Sequence, residues 1–153
     1  MNKILIAVDG TKGSAIAVEK FIGMLSWCHP ETLVLLHVEK YSASFLMDEM
    51  AGDSELSALK EALQGTEYQE MLDKKAQKIL DHYKKSLEDK GVDDIKTLAV
   101  IGHPAEVILD IAGKEGVDMI VLGSRGNRYR PLMMGSVSRE VADSALIPVL
   151  LIK

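Results

Sequence analysis

Residues 123–138, GSRGNRYRPLMMGSVS, gather three glycines, three arginines and three serines directly after the apolar run DMIVL. That mixture suits an anion. Guanidinium offers planar, two-pronged hydrogen bonding to phosphate, glycine lets backbone bend or be approached closely, and serine adds small donors. All four arginines, Arg125, Arg128, Arg130 and Arg139, lie in this neighbourhood while the lysines are scattered. The clustering favours a phosphorylated ligand; paired surface charges are the alternative. Near the start of the chain, Asp9 follows ILIAV. Its carboxylate is either an acceptor for a ligand or a cap on the helix that follows.

These residues need elements to place them. Short apolar runs bounded by turn residues alternate with longer segments of helical period, the signature of parallel β-α-β units. The strand candidates are KILIAV, TLVLLHV, IKTLAVI, DMIVLG and IPVLLIK. Helical stripes run through Ala15, Val18, Ile22 and Leu25, then Leu72, Ala76, Ile79, Tyr83 and Leu87, then Ile108, Ile111 and Ala112. A last helix begins near Gly135-Ser136, with Val137, Val141 and Ala145 inward. The spacing predicts an α/β fold: one open, parallel, five-stranded sheet with helices on both faces, in a single domain spanning 1–153. Residues 41–66 interrupt the rhythm as an acidic excursion, with a short helix expected over 54–63. In such sheets ligands bind outside the carboxyl ends of the strands, where strand order reverses. Asp9 and the glycine loop both sit at such ends, and the N-terminus of the last helix directs free N–H groups toward them.

Composition excludes several classes. With 18 Lys and Arg against 23 Asp and Glu the chain carries a net charge of −5, which argues against nucleic acid as a partner. No run reaches the roughly 18 apolar residues of a membrane span, and MNKILIAVDG lacks the features of a signal peptide, so a cytoplasmic location is expected. Cys28 has no second cysteine to pair with and reads as a small buried hydrophobe. The four histidines show no metal-ligand spacing. GTKGS at 10–14 lacks the spacer of a P-loop, and no Gly-x-Gly-x-x-Gly follows a strand.

Taken together, ILIAVDGTKGS, LLHV, IGHPAEVIL, DMIVLGSRG, GSVS and IPVLLIK resemble the universal stress protein family, whose domains are flavodoxin-like or Rossmann-like. The resemblance implies an adenine-nucleotide-binding stress-response or regulatory protein, with ATP or ADP, or AMP, as ligand and Mg as an accompanying ion. In the family's nucleotide-binding branch, Gly123, Gly126, Gly135, Ser136 and Ser138 would hold the phosphates, with Val137 beside them. Asp9 would accept from the adenosine part, and Ala7, Val8 and Val38 would line its pocket. The loop between Gly126 and Gly135 is one residue shorter than the family pattern. Arg128 and Arg130 are therefore expected to carry more of the phosphate contact, with Arg125 a further candidate ligand contact in the same cluster. The family also implies a homodimer through strand 148–152. No general base is placed near the phosphates, so ATP hydrolysis is expected to be at most slow. A weak ATPase or phosphotransferase, and an interaction module that binds no nucleotide, remain the alternatives.

Overall fold

The computed structural model describes residues 2–40, 67–126 and 133–153. The excursion at 41–66, its expected helix, and Arg128, Arg130 and Pro131 lie outside the described residues. In chain order the elements are β1 (Lys3–Val8), α1 (Lys12–Met24), β2 (Thr32–Glu39), α2 (Glu67–Glu88), β3 (Ile95–Ile101), α3 (Pro104–Glu115), β4 (Met119–Gly123), α4 (Ser136–Ser144) and β5 (Val149–Ile152). All four strand pairings are parallel, in the order β3-β2-β1-β4-β5. Of the two arrangements named from the sequence, this is the order of the first five Rossmann strands. The chain moves outward from β1 to β2 and β3, then crosses back to β4, so strand order reverses between β1 and β4.

The apolar strands divide their residues between two layers, because successive side chains point to opposite faces. Ile4, Ile6, Val8, Leu33, Leu35 and Val121 pack under α1 and α2. Leu5, Val34, Leu36, Ile120 and Leu122 pack under α3 and α4. Burial on both faces is what makes β1, β2 and β4 nearly continuous apolar runs. The edge strands β3 and β5 are only partly covered.

Two helical stripes differ from expectation. Ala15 is exposed, and the buried face of α1 is Ser14, Ala17, Val18 and Phe21, continuing to Leu25. The bulk of Phe21 turns the stripe by one position, since burying that ring outweighs burying the Ala15 methyl. On α2, Leu80 joins Ala76, Tyr83 and Leu87 in the core. Cys28 is a half-buried thiol packed against the α1/α2 layer. Gly116 ends α3 in the left-handed conformation (φ 61°), which glycine adopts without a Cβ clash.

Candidate functional site

The β1–α1 connection is a closed ring of local hydrogen bonds. Thr11 is the N-cap of α1, and its Oγ1 accepts from the Ser14 N–H (3.4 Å). Asp9 does not cap the helix; it orients the cap. Its Oδ1 accepts from the Thr11 N–H at 2.9 Å and from the Thr11 hydroxyl, an Asx turn. Ser14 Oγ in turn accepts from the Asp9 N–H (2.9 Å). From α2, the Tyr83 hydroxyl reaches the Asp9 carbonyl at 3.4 Å. Burial raises the Tyr83 phenol above its ordinary pKa, with the Asp9 charge adding to the effect and a hydrogen bond with Ser14 opposing it.

Across the strand reversal, β4 ends in a second knot of backbone and serine. Ser124 donates its N–H to Ile152 O (2.8 Å), and its carbonyl accepts from the Gly135 N–H (2.8 Å). The buried Ser138 hydroxyl lies 3.1 Å from Ser124 O and 2.9 Å from Gly135 O. It therefore ties the start of α4 to the end of β4. The Ser124 hydroxyl is buried and has no hydrogen-bond partner among the described residues, a state that costs free energy unless another group completes it. Gly135 is the N-cap of α4, and among the described residues no side chain caps the helix. The first intrahelical donor is the Arg139 N–H, bonded to Gly135 O (3.0 Å). The Ser136 and Val137 N–H groups are left pointing out of the positive end of the helix dipole. That end of α4 can hold an anion.

The glycines have different duties. A Cβ on Gly123 would lie 2.6 Å from Gly13 O, and one on Gly13 would lie 1.6 Å from Arg125 O. The close approach at these two positions is therefore made by the protein's own backbone, where the first turn of α1 meets the end of β4. Among the described residues a Cβ at Gly126 would meet only Thr11 Cγ2, at 3.9 Å, and one at Gly135 would touch Ser124 O and Ser138 Oγ at 3.4 Å. Gly126 thus leaves its Cβ direction open.

Of the residues expected at the site, Ala7, Val8 and Asp9 lie at the end of β1, and Val38 near that of β2. Gly123, Arg125 and Gly126 lie at and beyond the end of β4, and Gly135, Ser136, Val137 and Ser138 at the start of α4. Because β1 pairs with both β2 and β4, these ends are neighbours. Ala7 and Val38 are half-buried on the α3/α4 side and Val8 is buried on the other. Arg139 is exposed on α4.

Sequence reasoning missed Gly13, His37 and Tyr83 as residues that shape the site. Of these, only Gly13 had any local mark, a glycine at the start of a helix, and its partner is not readable from GTKGS. His103, the N-cap of α3, meets both carboxylate oxygens of Glu140 on α4 at 3.0 Å, a link between exposed groups. Beside the site, an open groove of about 640 Å³ runs along α2, lined by Lys74, Lys75, Lys78 and Ile79 among others. Among the described residues no group of three or more His, Cys, Asp or Glu could hold a metal ion, and no helix is long and apolar enough to cross a membrane.

A family model described as the universal stress protein family matches residues 1–153. Universal stress protein YxiE of Bacillus subtilis is 32% identical over 155 residues, covering 99% of each chain. Universal stress protein MJ0577 of Methanocaldococcus jannaschii is 31% identical over 156 residues, covering 99% of this chain and 94% of that one. The solved structure of MJ0577 superposes with a TM-score of 0.76 over 99% of this chain and 95% of its own. Two further structures share the fold at 20% and 18% identity. One is an Arabidopsis thaliana family member with AMP bound (TM-score 0.63, covering 100% of this chain and 92% of its own). The other is an Archaeoglobus fulgidus protein in complex with dAMP (TM-score 0.61, covering 100% and 98%).

Proposed function

Because the chain belongs to the universal stress protein family, we propose that it is a stress-response or regulatory protein that binds an adenine nucleotide between the ends of β1 and β4. The observation that carries this reading is the uncapped N-terminus of α4 at the strand reversal, with the orphaned Ser124 hydroxyl beside it. Free N–H groups, a positive dipole end and a buried hydroxyl together favour phosphate. The nucleotides carried by fold neighbours support the adenine assignment. In this reading the Ser136 and Val137 amides and the Gly126 backbone face the phosphates. Asp9, Ala7, Val8 and Val38 border the adenosine. ATP and ADP are the proposed ligands, with AMP as the smaller competitor.

Mass spectrometry of small molecules released from the purified protein, followed by calorimetry with ATP, ADP and AMP, tests the reading. Failure of all three to bind, with none released, would remove it. We further propose a homodimer through β5. That edge strand pairs only with β4 among the described residues, and Leu146 just before it is fully exposed. An unpaired apolar edge invites a second strand. Sedimentation at micromolar concentration should give a dimer that is lost on replacing Leu150 with lysine; a wild-type monomer would refute it.

A further inference from the structure

His37 lies on the face of β2 that carries Leu33 and Leu35 into the α1/α2 core, and it is 3% exposed. Its Nδ1 is 2.9 Å from the Val8 carbonyl oxygen and its Nε2 is 3.1 Å from Glu39 Oε2. Both partners are acceptors. A neutral imidazole has one N–H and one lone pair, so either neutral tautomer would set a lone pair against an oxygen in a buried setting. Both contacts are hydrogen bonds only when the His37–Glu39 pair holds one proton more than a neutral ring and an ionised carboxylate. The neighbouring charges decide where that proton sits. Lys75 of α2 stands 3.4 Å from Glu39 Oε1 as an ion pair, a contact made with a carboxylate that carries its charge. Among the described residues, the other titratable groups on this side are the Tyr83 phenol of α2, turned to the Asp9 carbonyl, and the Asp9 carboxylate, turned to Thr11. From β3 the residue opposite His37 is the uncharged Ala99. The extra proton is left to the ring.

We infer that His37, as an imidazolium, is a positioning residue that clamps the Val8 carbonyl and thereby sets the Val8–Gly10 backbone, so that ligand affinity at this site is linked to one proton. Val8 is the last residue of β1 and Asp9 follows it, so the clamp acts one residue from the proposed adenosine contact. The linkage rests on the nucleotide reading above; the clamp itself does not. Loss of the proton leaves the ring a single N–H, which goes to the Glu39 carboxylate as the stronger, charged acceptor and so releases the Val8 carbonyl; only where that carboxylate is absent does a neutral ring keep its N–H on Val8.

The test uses the full chain, isotope-labelled. Long-range proton–nitrogen spectra follow the His37 ring from about pH 5.5 to about pH 9, assigned by its absence in His37→Gln, while the Asp9 and Gly10 amides are followed in the same ligand-free samples. Both ring nitrogens should be protonated near neutral pH, and the two amides should move with the ring as it titrates. In Glu39→Gln the new side-chain amide can donate to Nε2, so the ring should be neutral with its proton on Nδ1. A neutral ring in the wild type at about pH 6.5, or amides that ignore the ring, would overturn the clamp. With AMP as probe, the wild-type affinity should fall about tenfold once the ring loses its proton, and Glu39→Gln should bind with no such pH dependence. AMP affinity independent of pH in the wild type would overturn the linkage. Absence of AMP binding at every pH, with ring and amides still titrating together, would remove the nucleotide reading and leave the clamp standing.

Discussion

The contact between the first turn of α1 and the end of β4 can be tested by a single methyl group. A Cβ at Gly13 would stand 1.6 Å from Arg125 O and 2.7 Å from its carbonyl carbon. Carbon contacts settle at about 3.5 Å, so one of the two backbones must retreat by roughly 2 Å. Backbone cannot rotate aside as a side chain can. Overpacking costs about 1–3 kcal/mol, and the upper end applies here. Against it stands the helix preference of alanine over glycine, up to about 1 kcal/mol. Gly13→Ala should therefore lose about 2 kcal/mol, a fall of about 4–8 °C in Tm for a domain of this size. Gly23, in the same helix, has nothing within 4 Å of its Cβ position, so Gly23→Ala should gain up to about 1 kcal/mol. Urea unfolding of the two variants beside the parent measures both. If Gly13→Ala is as stable as the parent while Gly23→Ala gains, the backbone contact does not exist in solution.

Gly126→Val should leave Tm nearly unchanged, because among the described residues its Cβ direction meets only Thr11 Cγ2 at 3.9 Å, while nucleotide affinity by calorimetry falls at least about tenfold, or ~1.4 kcal/mol. Ser138→Ala removes the hydroxyl tie between α4 and β4 but leaves Ser124 O its Gly135 N–H partner; urea unfolding should report a loss of about 1–2 kcal/mol. The Lys3 and Asn2 N–H groups hold Asp118 below the ordinary carboxylate range, and hydrogen bonds from Lys96 and Lys3 do the same for Glu115. A carboxyl depressed in the folded state contributes stability that is present above its unfolded pKa, about 4, and is lost as pH falls below it. Asp118→Asn should accordingly flatten the decline of Tm in that acid window while lowering Tm at neutral pH.

The strands were legible because their burial on both sheet faces demands unbroken apolar runs, and KILIAV, TLVLLHV and DMIVLG supply them. The start of α4 was legible too, since a glycine before serine and a spaced apolar pair is a local signal, and Gly135 is the N-cap. What escaped was set by neighbours distant in sequence. Nothing within GTKGS says that Gly13 meets Arg125, more than a hundred residues away. LLHV reads as a strand end whether its histidine faces solvent or, as here, a buried carbonyl of β1. Asp9 illustrates the middle case. Its position at the end of β1 was readable, but its role turned on whether it or Thr11 closes the helix, a choice of a single hydrogen bond.

These details give the first turn of α1 an unusual share in the site. Its Thr11 cap is oriented by Asp9, its Ser14 hydroxyl holds the Asp9 N–H, and its Gly13 backbone lies against Arg125 and Gly123. The two loops that border the strand reversal therefore share one support, although they are far apart in the chain. On the β1 side, Ser14, Tyr83 and His37 fix successive polar groups of Val8 and Asp9 from three different elements. On the β4 side, Gly135 and Ser138 both bond the Ser124 carbonyl. With these carbonyls and hydroxyls of the scaffold so engaged, the groups left over among the described residues, which the proposed reading assigns to the ligand, are the amides at the head of α4 and the Ser124 hydroxyl. Each of them can donate, which is what the anion of the proposed reading would need.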